Sequence, residues 1–384
     1  MSSIFLRVRR FIPLILMSVL FTLTLSQAAQ AQVNTTFRQV CPVEAIQLRA
    51  DDFQASGLIL TTFDGIRLWV YDVIRDRRYP LENTNTCGAH CHLSPDFRWI
   101  SYLDATNGYS KMRLDGSERI ALVDYASEVS WWSATTLLVW TPDHQAYLQR
   151  EDGLSRQILD SHGIVNIQPG GHWGLYVERD EELFIRSLFD LDGDEERVPL
   201  GVDLPYFNAA SWSPDGEWLA YVAPNTNSGI ISSEIFAIRP ADAVPIQWTN
   251  LTAEYGAVRI NGRAVGELSW SPDATHLAFW VIPLTGANPE VDTGNAILHI
   301  LDVETGEMNV YCDLGITAHT PVPPRLIWSP DGAYIAFGAN IDGNEEGNLL
   351  LAVNVADGTF TQLSAGIAPA LGSPDVVAWG LPPQ

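Results

Sequence analysis

The chain has 384 residues and a formal net charge of −24, with 46 acidic side chains against 22 basic ones. Lys111 is its single lysine, so arginine carries almost all of the positive charge. Binding to nucleic acid or to anionic lipid needs many cationic side chains, and this composition therefore argues against both kinds of partner.

The first 31 residues have the pattern of an export signal. Arg7, Arg9 and Arg10 form a basic start, an apolar stretch follows from Phe11 to Leu25, and the small-residue sequence Ala-Gln-Ala ends at Ala31. The apolar stretch is too short for a comfortable membrane span, and no second stretch of this kind follows. We therefore predict a protein exported to the periplasm or the cell exterior, with no membrane span once the signal is removed.

Residues 32–56 are mixed and polar, and we interpret them as an N-terminal arm. From residue 57 to residue 380, strand-like apolar runs alternate with turn residues, and residues 381–384 form a short tail. No convincing amphipathic helix is present. The composition of the segment 57–380 thus favours an all-β domain.

One pattern recurs along this domain. The sequence SWSPDGEWLAYV at Ser211–Val222 returns at Ser269–Val281 and at Ile327–Gly338, and a weaker copy spans His92–Leu103. Each copy reads as a β-hairpin, because Pro presets φ, Asp bonds locally and Gly takes the left-handed position of the turn. Fixed-period self-similarity indicates a repeat architecture.

The strand after each turn contains a small residue at a fixed offset, followed by an aromatic one. The small residues are Ser101, Ala220, Ala278 and Ala336. A small residue between large ones predicts a place where neighbouring sheets approach closely. The tryptophans before the turns are expected to pack between repeats.

Aligning the Trp-Ser position gives the number of repeats. The position falls at Leu93, Trp132, Ile167, Trp212, Trp270, Trp328 and Trp379, at intervals of 35 to 58 residues. A second turn, usually Asp-Gly, follows within most intervals. Each repeat is therefore predicted to have four antiparallel strands, A to D, which is typical of a propeller blade.

The two ends of the domain complete the count. Residues 57–82 supply strands B, C and D without a strand A, and residues 375–380 supply a strand A without a strand B. Joined in one blade, they would leave no open sheet edge. We predict an all-β, seven-bladed β-propeller closed by both termini; six blades is the alternative, if one decayed repeat is not a blade.

The Ser-Pro-Asp-Gly turn followed by an apolar-Ala-aromatic strand resembles the TolB-like, WD-repeat-like β-propellers of exported bacterial proteins. The resemblance covers residues 57–380 and is strongest in the three copies that begin at Ser211, Ser269 and Ile327. It implies a non-catalytic scaffold that binds proteins or small ligands. We accordingly predict a monomeric, non-enzymatic binding protein without cofactor or metal.

An enzyme remains the alternative function. Propellers also host lyases, glycosidases and quinoprotein dehydrogenases, whose active-site residues come from several loops at the channel mouth. The sequence contains no nucleophile elbow, P-loop, dinucleotide fingerprint or zinc-protease motif. Such motifs would not be expected for a site assembled from several blades, so both alternatives stay open.

The longest loops predict where a partner binds. In a four-stranded blade the BC and DA loops share one face, here called the BC/DA face, and the AB and CD turns share the opposite AB/CD face. The long loops of blades five to seven all belong to the BC/DA face, and loops on a rigid scaffold often carry function. We predict that a protein or polymer partner binds there.

Seven side chains in these loops are able to supply hydrogen bonds, charge or a stacking surface: Asn225, Tyr255, Arg259, Arg263, Glu290, Asp292 and His319. Tyr255 with Arg259 and Arg263 is the preferred centre, because Tyr and Arg are enriched among residues that dominate binding energy. Two arginines in an acidic protein would meet a carboxylate on the partner. Alternatively, they pair with Glu254 and Glu267 and bind nothing.

Four cysteines follow the signal: Cys41, Cys87, Cys91 and Cys312. Export favours disulfides, and we expect Cys87–Cys91 and Cys41–Cys312, the latter because the arm enters beside the last blade. Two alternatives remain. One is a different pairing, and the other is a zinc site formed by Cys87, His90, Cys91 and His92.

Overall fold

The structure is a computed structural model. It describes residues 35–41, 46–51, 53–62, 67–84, 91–104, 108–159, 162–178, 182–191, 197–203, 209–224, 232–261, 268–284, 295–312, 323–339, 348–367 and 376–383. The predicted signal peptide lies outside the described residues.

Strands make up almost all of the regular structure. In the first half of the chain they are β1 (Thr36–Val40), β2 (Ile46–Leu48), β3 (Leu58–Thr61), β4 (Trp69–Asp72), β5 (Arg77–Pro80), β6 (His92–Leu93), β7 (Trp99–Asp104), β8 (Gly108–Arg113), β9 (Ile120–Val123), β10 (Glu128–Ser133), β11 (Thr136–Trp140), β12 (Ala146–Arg150), β13 (Arg156–Ile158), β14 (Ile164–Ile167), β15 (Trp173–Val177) and β16 (Glu182–Ser187).

The remaining elements are β17 (Val198–Asp203), β18 (Ser211–Trp212), β19 (Leu219–Pro224), β20 (Ser233–Ile238), β21 (Ile246–Gln247), α1 (Leu251–Tyr255), β22 (Val258–Ile260), β23 (Ser269–Trp270), β24 (His276–Pro283), β25 (Ile297–Asp302), β26 (Glu307–Tyr311), β27 (Ile327–Trp328), β28 (Tyr334–Ala339), β29 (Asn348–Asn354), β30 (Phe360–Ile367) and β31 (Val376–Gly380).

The strands form seven sheets. Blade one joins β31 to β3, β4 and β5, and blades two to seven follow in chain order, beginning with β6, β10, β14, β18, β23 and β27. In blade one the C-terminal strand pairs antiparallel with β3, so that Ile59 lies opposite Trp379. The predicted seven-bladed propeller is confirmed, and the six-bladed alternative is wrong.

A side-chain lock closes each Ser-Pro-Asp hairpin. In blade five the Ser213 hydroxyl accepts the Trp218 N–H at 3.0 Å and donates to Asp215, whose carboxylate also accepts the Glu217 N–H. Gly216 takes the left-handed position with φ 74°. The serine-to-aspartate bond recurs in blades two, six and seven. These bonds satisfy turn donors locally, which explains why the sequence pattern recurs.

The lock holds even where glycine is absent. Phe97 and Ala274 occupy the left-handed position with φ 61° in blades two and six. Only glycine takes this conformation without steric cost. Because Phe97 and Ala274 keep the left-handed conformation, we infer that the hydrogen bonds of the serine and aspartate stabilise the turn in these two blades.

The predicted repeat alignment is wrong by one residue in blade three. Trp131, not Trp132, lies opposite Leu137, just as Trp212 lies opposite Leu219 in blade five. The register shifts between Trp131 and Ser133, so this strand A has one extra residue. A β-bulge of this kind cannot be distinguished from a regular strand in a Trp-Trp pair.

The tryptophans of strand A tie successive blades together. The indole N–H of Trp270 donates to the Ser211 carbonyl of blade five at 3.1 Å, and that of Trp328 donates to the Ser269 carbonyl of blade six at the same distance. Trp131 bonds the His92 carbonyl of blade two in the same way. Packing between repeats, as predicted, is therefore accompanied by a hydrogen bond between blades.

The small residues of strand B lie where adjacent blades meet. Ala220, Ala278 and Ala336 are fully buried in clusters that join neighbouring blades. The Ser101 hydroxyl donates to the Val129 carbonyl of blade three at 3.1 Å. A larger side chain at these positions would push the two blades apart.

The N-terminal arm adds one outer strand to each of two blades. β1 runs parallel to β26 on the outside of blade six, and β2 runs parallel to β30 on the outside of blade seven. Cys41 and Cys312 form a disulfide beside the first of these pairings, with Cα atoms 5.2 Å apart. This is the pairing that the sequence favoured. The arm thus covers the outer edges of both blades.

Closure of the ring yields a testable prediction. The Trp379 side chain is fully buried and its indole N–H donates to the Ser56 carbonyl at 2.8 Å. We expect Trp379→Ala to lower the free energy of unfolding by about 3–5 kcal/mol, because it leaves a cavity where the first and last strands of the propeller meet. Denaturant unfolding measures this loss. Trp132→Ala, at a half-buried position of blade three, is the control; an equal loss in both variants would contradict the special role of the closing strand.

A second prediction concerns the arm. In the Cys41→Ala/Cys312→Ala variant we expect faster cleavage by trypsin at Arg38 and a stability loss of about 2–4 kcal/mol, because the disulfide closes a very long loop. Limited proteolysis with mass spectrometry measures the cleavage. The matched control is Cys87→Ala/Cys91→Ala, which leaves the arm tied. Unchanged cleavage at Arg38 would show that strand pairing alone holds the arm.

Candidate functional site

The connection from blade five to blade six contains two extra elements on the BC/DA face. The short helix α1 follows β21, and β22 then pairs with the far end of β24, where Ile260 lies opposite Val281. β23 pairs with the other end of the same edge, where Trp270 lies opposite Leu277. The insertion thus lengthens the sheet of blade six toward the BC loop.

A buried carboxylate fixes the start of this insertion. Glu234 is fully buried at the beginning of strand C of blade five. It accepts the N–H groups of Leu251 and Thr252 at 2.8 and 2.9 Å and the hydroxyls of Thr249 and Thr252 at 2.7 Å. A buried charge needs several such donors to offset desolvation. Glu234 therefore acts as a rigid anchor for α1.

A buried histidine fixes the other end of α1. The Tyr255 hydroxyl lies 2.9 Å from Nε2 of His299, and Nδ1 of His299 lies 3.0 Å from the Ile297 carbonyl. His299 is fully buried, and this burial lowers its pKa to about 4. Burial, with a smaller contribution from Glu254, raises the pKa of Tyr255 to about 12. Both groups are neutral at pH 7, and the pair is a hydrogen-bonded brace.

Arg259 projects from the braced insertion. Its neighbours in β22, Val258 and Ile260, are buried, whereas Arg259 is partly exposed on the opposite side of the strand. Among the described residues, no carboxylate lies within ion-pair distance of Arg259, Glu254 included. Arg325, which precedes strand A of blade seven, is exposed and likewise has no ion pair in the described part of the chain.

The structure places two of the seven predicted site residues. Tyr255 and Arg259 lie four residues apart on adjoining elements, but the Tyr255 hydroxyl is directed to His299. The other five predicted residues lie outside the described residues: Asn225, Arg263, Glu290, Asp292 and His319.

Glu234, His299 and Arg325 contribute to this face without being predicted from the sequence. Glu234 and His299 lie in mainly apolar strands, Ser233–Ile238 and Ile297–Asp302, and a polar residue within an apolar run is the only sequence signal for either. Arg325 lies two residues before Ile327 of strand A, and nothing in the neighbouring sequence distinguishes it from other loop residues.

The cysteine and histidine cluster of blade two has no free thiolate at Cys91. Cys91 is disulfide-bonded, which removes it as a ligand in the alternative zinc site; Cys87 and His90 lie outside the described residues. Nε2 of His92 lies 3.2 Å from Oε1 of Glu128. Within the described ranges, no group of three or more His, Cys, Asp or Glu side chains is arranged to hold a metal ion.

None of the helices in the described part of the chain is long and apolar enough to cross a membrane.

Comparisons with known proteins show the fold. Oligogalacturonate lyase in complex with manganese has a TM-score of 0.53 at 15% identity, with 80% of this chain and 88% of that one covered. Oligogalacturonate lyase from Vibrio parahaemolyticus has a TM-score of 0.50 at 13% identity, covering 82% and 89%. TolB from Acinetobacter baumannii has a TM-score of 0.44 at 15% identity, covering 92% and 98%. No family model and no curated protein matches the sequence.

At these identities the likeness concerns the fold, not the activity. The predicted resemblance to TolB-like propellers is confirmed as a likeness of fold.

The buried histidine predicts a pH dependence of stability. Because the folded pKa of His299 lies near 4 and its unfolded value near 6.5, the unfolded chain binds a proton between these values that the folded protein does not. This contribution therefore lowers stability as pH falls from 6.5 to about 4, by at most about 3 kcal/mol. We expect His299→Gln to lose this part of the pH dependence in denaturant unfolding at pH 7, 5.5 and 4.5. Parallel curves for wild type and variant would show that the pKa of His299 is the same in the folded and the unfolded protein.

Proposed function

We propose that this protein is an exported, non-enzymatic β-propeller that binds a protein or polymer partner through the BC/DA face of blades five to seven. Tyr255, Arg259 and Arg263 form the proposed centre of contact. The observation that carries the proposal is the braced insertion of α1 and β22, which presents Arg259 without a carboxylate partner among the described residues.

Rigidity of the insertion supports this proposal. Glu234 fixes the first turn of α1 and His299 fixes Tyr255 at its end, so that the backbone of β22 is held at both sides. A pre-ordered site loses less conformational entropy when it binds than a mobile loop does. Two buried polar groups, Glu234 and His299, thus contribute hydrogen bonds to this one connection.

Charge supports a carboxylate on the partner. The chain has a net charge of −24, and Arg259 has no carboxylate partner among the described residues. Arginine binds carboxylates in a bidentate manner with strong, charge-assisted hydrogen bonds. Arg325 adds a second exposed cation on the same face. Asn225, Glu290, Asp292 and His319, which lie outside the described residues, are proposed to form the polar rim of this face.

Export of the protein is part of the proposal. The N-terminal sequence has the features of a cleavable signal, and the Cys41–Cys312 disulfide fits an oxidising compartment outside the cytoplasm. The proposed location is the periplasm or the cell exterior, with the mature propeller as a soluble monomer.

The experiment is a binding comparison with a partner isolated from the bacterial envelope by the mature protein. We expect Arg259→Ala/Arg263→Ala to lower the affinity for that partner at least tenfold, since arginines in desolvated contacts dominate binding energy. The matched control is Arg77→Ala/Arg156→Ala, which removes the same charge from outer strands of blades one and three. Equal affinities of both variants, with unchanged circular dichroism, would remove this centre from the proposal.

The enzyme alternative has its own test. Two proteins of similar fold are oligogalacturonate lyases, one of them in complex with manganese. The mature protein is incubated with oligogalacturonate, with and without Mn²⁺, and the chain length of the product is measured by mass spectrometry. Cleavage would replace the binding proposal by an enzymatic one. Intact oligomers would rule out oligogalacturonate lyase activity and support the binding proposal.

A further inference from the structure

On the AB/CD face, an aromatic residue begins strand B in several blades. Trp99, Trp173 and Trp218 are equivalent, because the backbone N–H of each donates to the locking side chain of its own hairpin, at 2.9 to 3.0 Å. The lock is serine in blades two and five, and Gln168 replaces it in blade four. All three indoles are partly exposed.

Two of these tryptophans carry an arginine from the adjacent strand C. In blade two, Arg113 lies opposite Trp99 in the sheet, and its guanidinium carbon is 3.8 Å from the centre of the indole. In blade five, the Arg239 guanidinium lies 4.1 Å above Trp218. A carboxylate accompanies each pair: Glu118 is 3.1 Å from Arg113, and Glu217 is 3.9 Å from Arg239. The Trp99 indole also contacts Lys111, whose ammonium lies 4.3 Å away and pairs with Glu151.

Blade four has the tryptophan but not the arginine. The residue opposite Trp173 is Ser187, which is buried and bonded to His172. His172 meets Trp173 edge-on, with the rings at 85° and their centres 5.7 Å apart. Among the described residues, no arginine or lysine lies over the Trp173 ring. Blade four therefore has the exposed indole of blades two and five, but among the described residues no cation of the chain lies over it.

The Trp173 indole lines a cleft of about 440 Å³ between blades four and five. The cleft is bounded by the AB turn of blade five and by its CD turn, which together contribute Asp215, Glu217, Arg239 and Asp242. Asp215 is used by its own hairpin, and Arg239 lies over Trp218 with Glu217 3.9 Å away. The carboxylate of Asp242 is exposed and has no ion pair among the described residues. The cleft has three acidic side chains and one basic side chain, so it favours a cationic occupant.

We propose that this cleft binds an arginine side chain of a partner protein, with its guanidinium over Trp173 and hydrogen-bonded to Asp242. The occupant would restore in blade four the cation, indole and carboxylate arrangement that blades two and five make within the chain. Guanidinium groups prefer tryptophan faces to other aromatic faces, and they bind carboxylates in the same plane. This site is on the face opposite to the proposed carboxylate-binding centre and does not depend on it.

The test uses the mature protein labelled with 5-fluorotryptophan, which gives one ¹⁹F signal for each of up to 13 tryptophans. The Trp173→Phe variant identifies the Trp173 signal. The probe is the peptide acetyl-Gly-Arg-Gly-amide, and the control peptide has citrulline, which keeps the shape of arginine without its charge. We expect the arginine peptide to shift the Trp173 signal in a saturable manner and the citrulline peptide to leave it unchanged.

Variants separate the parts of the site. Trp173→Leu keeps the apolar contact with blade four but removes the π face, and we expect it to weaken peptide binding about threefold to fivefold, as measured by calorimetry. Trp173→Phe should retain part of the affinity, and Asp242→Asn should weaken binding about threefold. Trp132→Leu, at a half-buried position of the neighbouring blade, is the control that should bind like wild type.

Either an unresponsive Trp173 signal or binding that does not depend on the charge or on the indole would overturn the proposal. The first is a Trp173 signal that does not move at millimolar arginine peptide while the other signals show a folded protein. The second is equal binding by the arginine and citrulline peptides, or by Trp173→Leu and wild type, since either result would mean that the indole does not recognise the positive charge.

Discussion

The ring is held together by one antiparallel pairing between residues that are more than three hundred positions apart in the chain. β31 lies beside β3, with Leu58 opposite Gly380 and Ile59 opposite Trp379. Each blade packs on its two neighbours, so an unpaired strand in blade one would expose both the cluster shared with blade seven and the one shared with blade two. The position of every loop on both faces depends on this closure, because the blades fix their angles by mutual contact.

Several cations of this acidic protein lie over an aromatic ring and also pair with a carboxylate. Arg113, Arg239 and Lys111 lie over indoles near the AB/CD face. On the BC/DA face the chain uses buried polar anchors, Glu234 and His299, to hold a segment that bears Arg259.

Much of the fold follows from local sequence, because the Ser-Pro-Asp lock is made by residues close together in the chain. The features that the sequence does not reveal depend on distant residues. Trp131 is misplaced by one position because a bulge changes register without changing composition. The strands of the arm were not predicted, because they are only five and three residues long and have no regular apolar pattern. They form by parallel pairing with the outer edges of blades six and seven.

The same reasoning explains the sites. Arg259 is predictable as an arginine on an unusually long connection, but the brace between Tyr255 and His299 joins residues 44 positions apart. Whether a cation covers the Trp173 indole depends on the residue opposite it in the sheet. That residue is Ser187 because of the register between β15 and β16. Local patterns report turns and strands, whereas pairings across strands decide which side chains remain available.

The single lysine has a practical consequence for chemical labelling. Lys111 is 6% exposed, covered by the Trp99 and Trp131 rings and paired with Glu151. Acylating reagents and amine-to-amine cross-linkers need an unprotonated, accessible amine, and in the folded propeller this leaves the terminal α-amino group as the reactive position. A succinimidyl dye would therefore attach once per folded molecule, and a second attachment would report the opening of the contact between blades two and three.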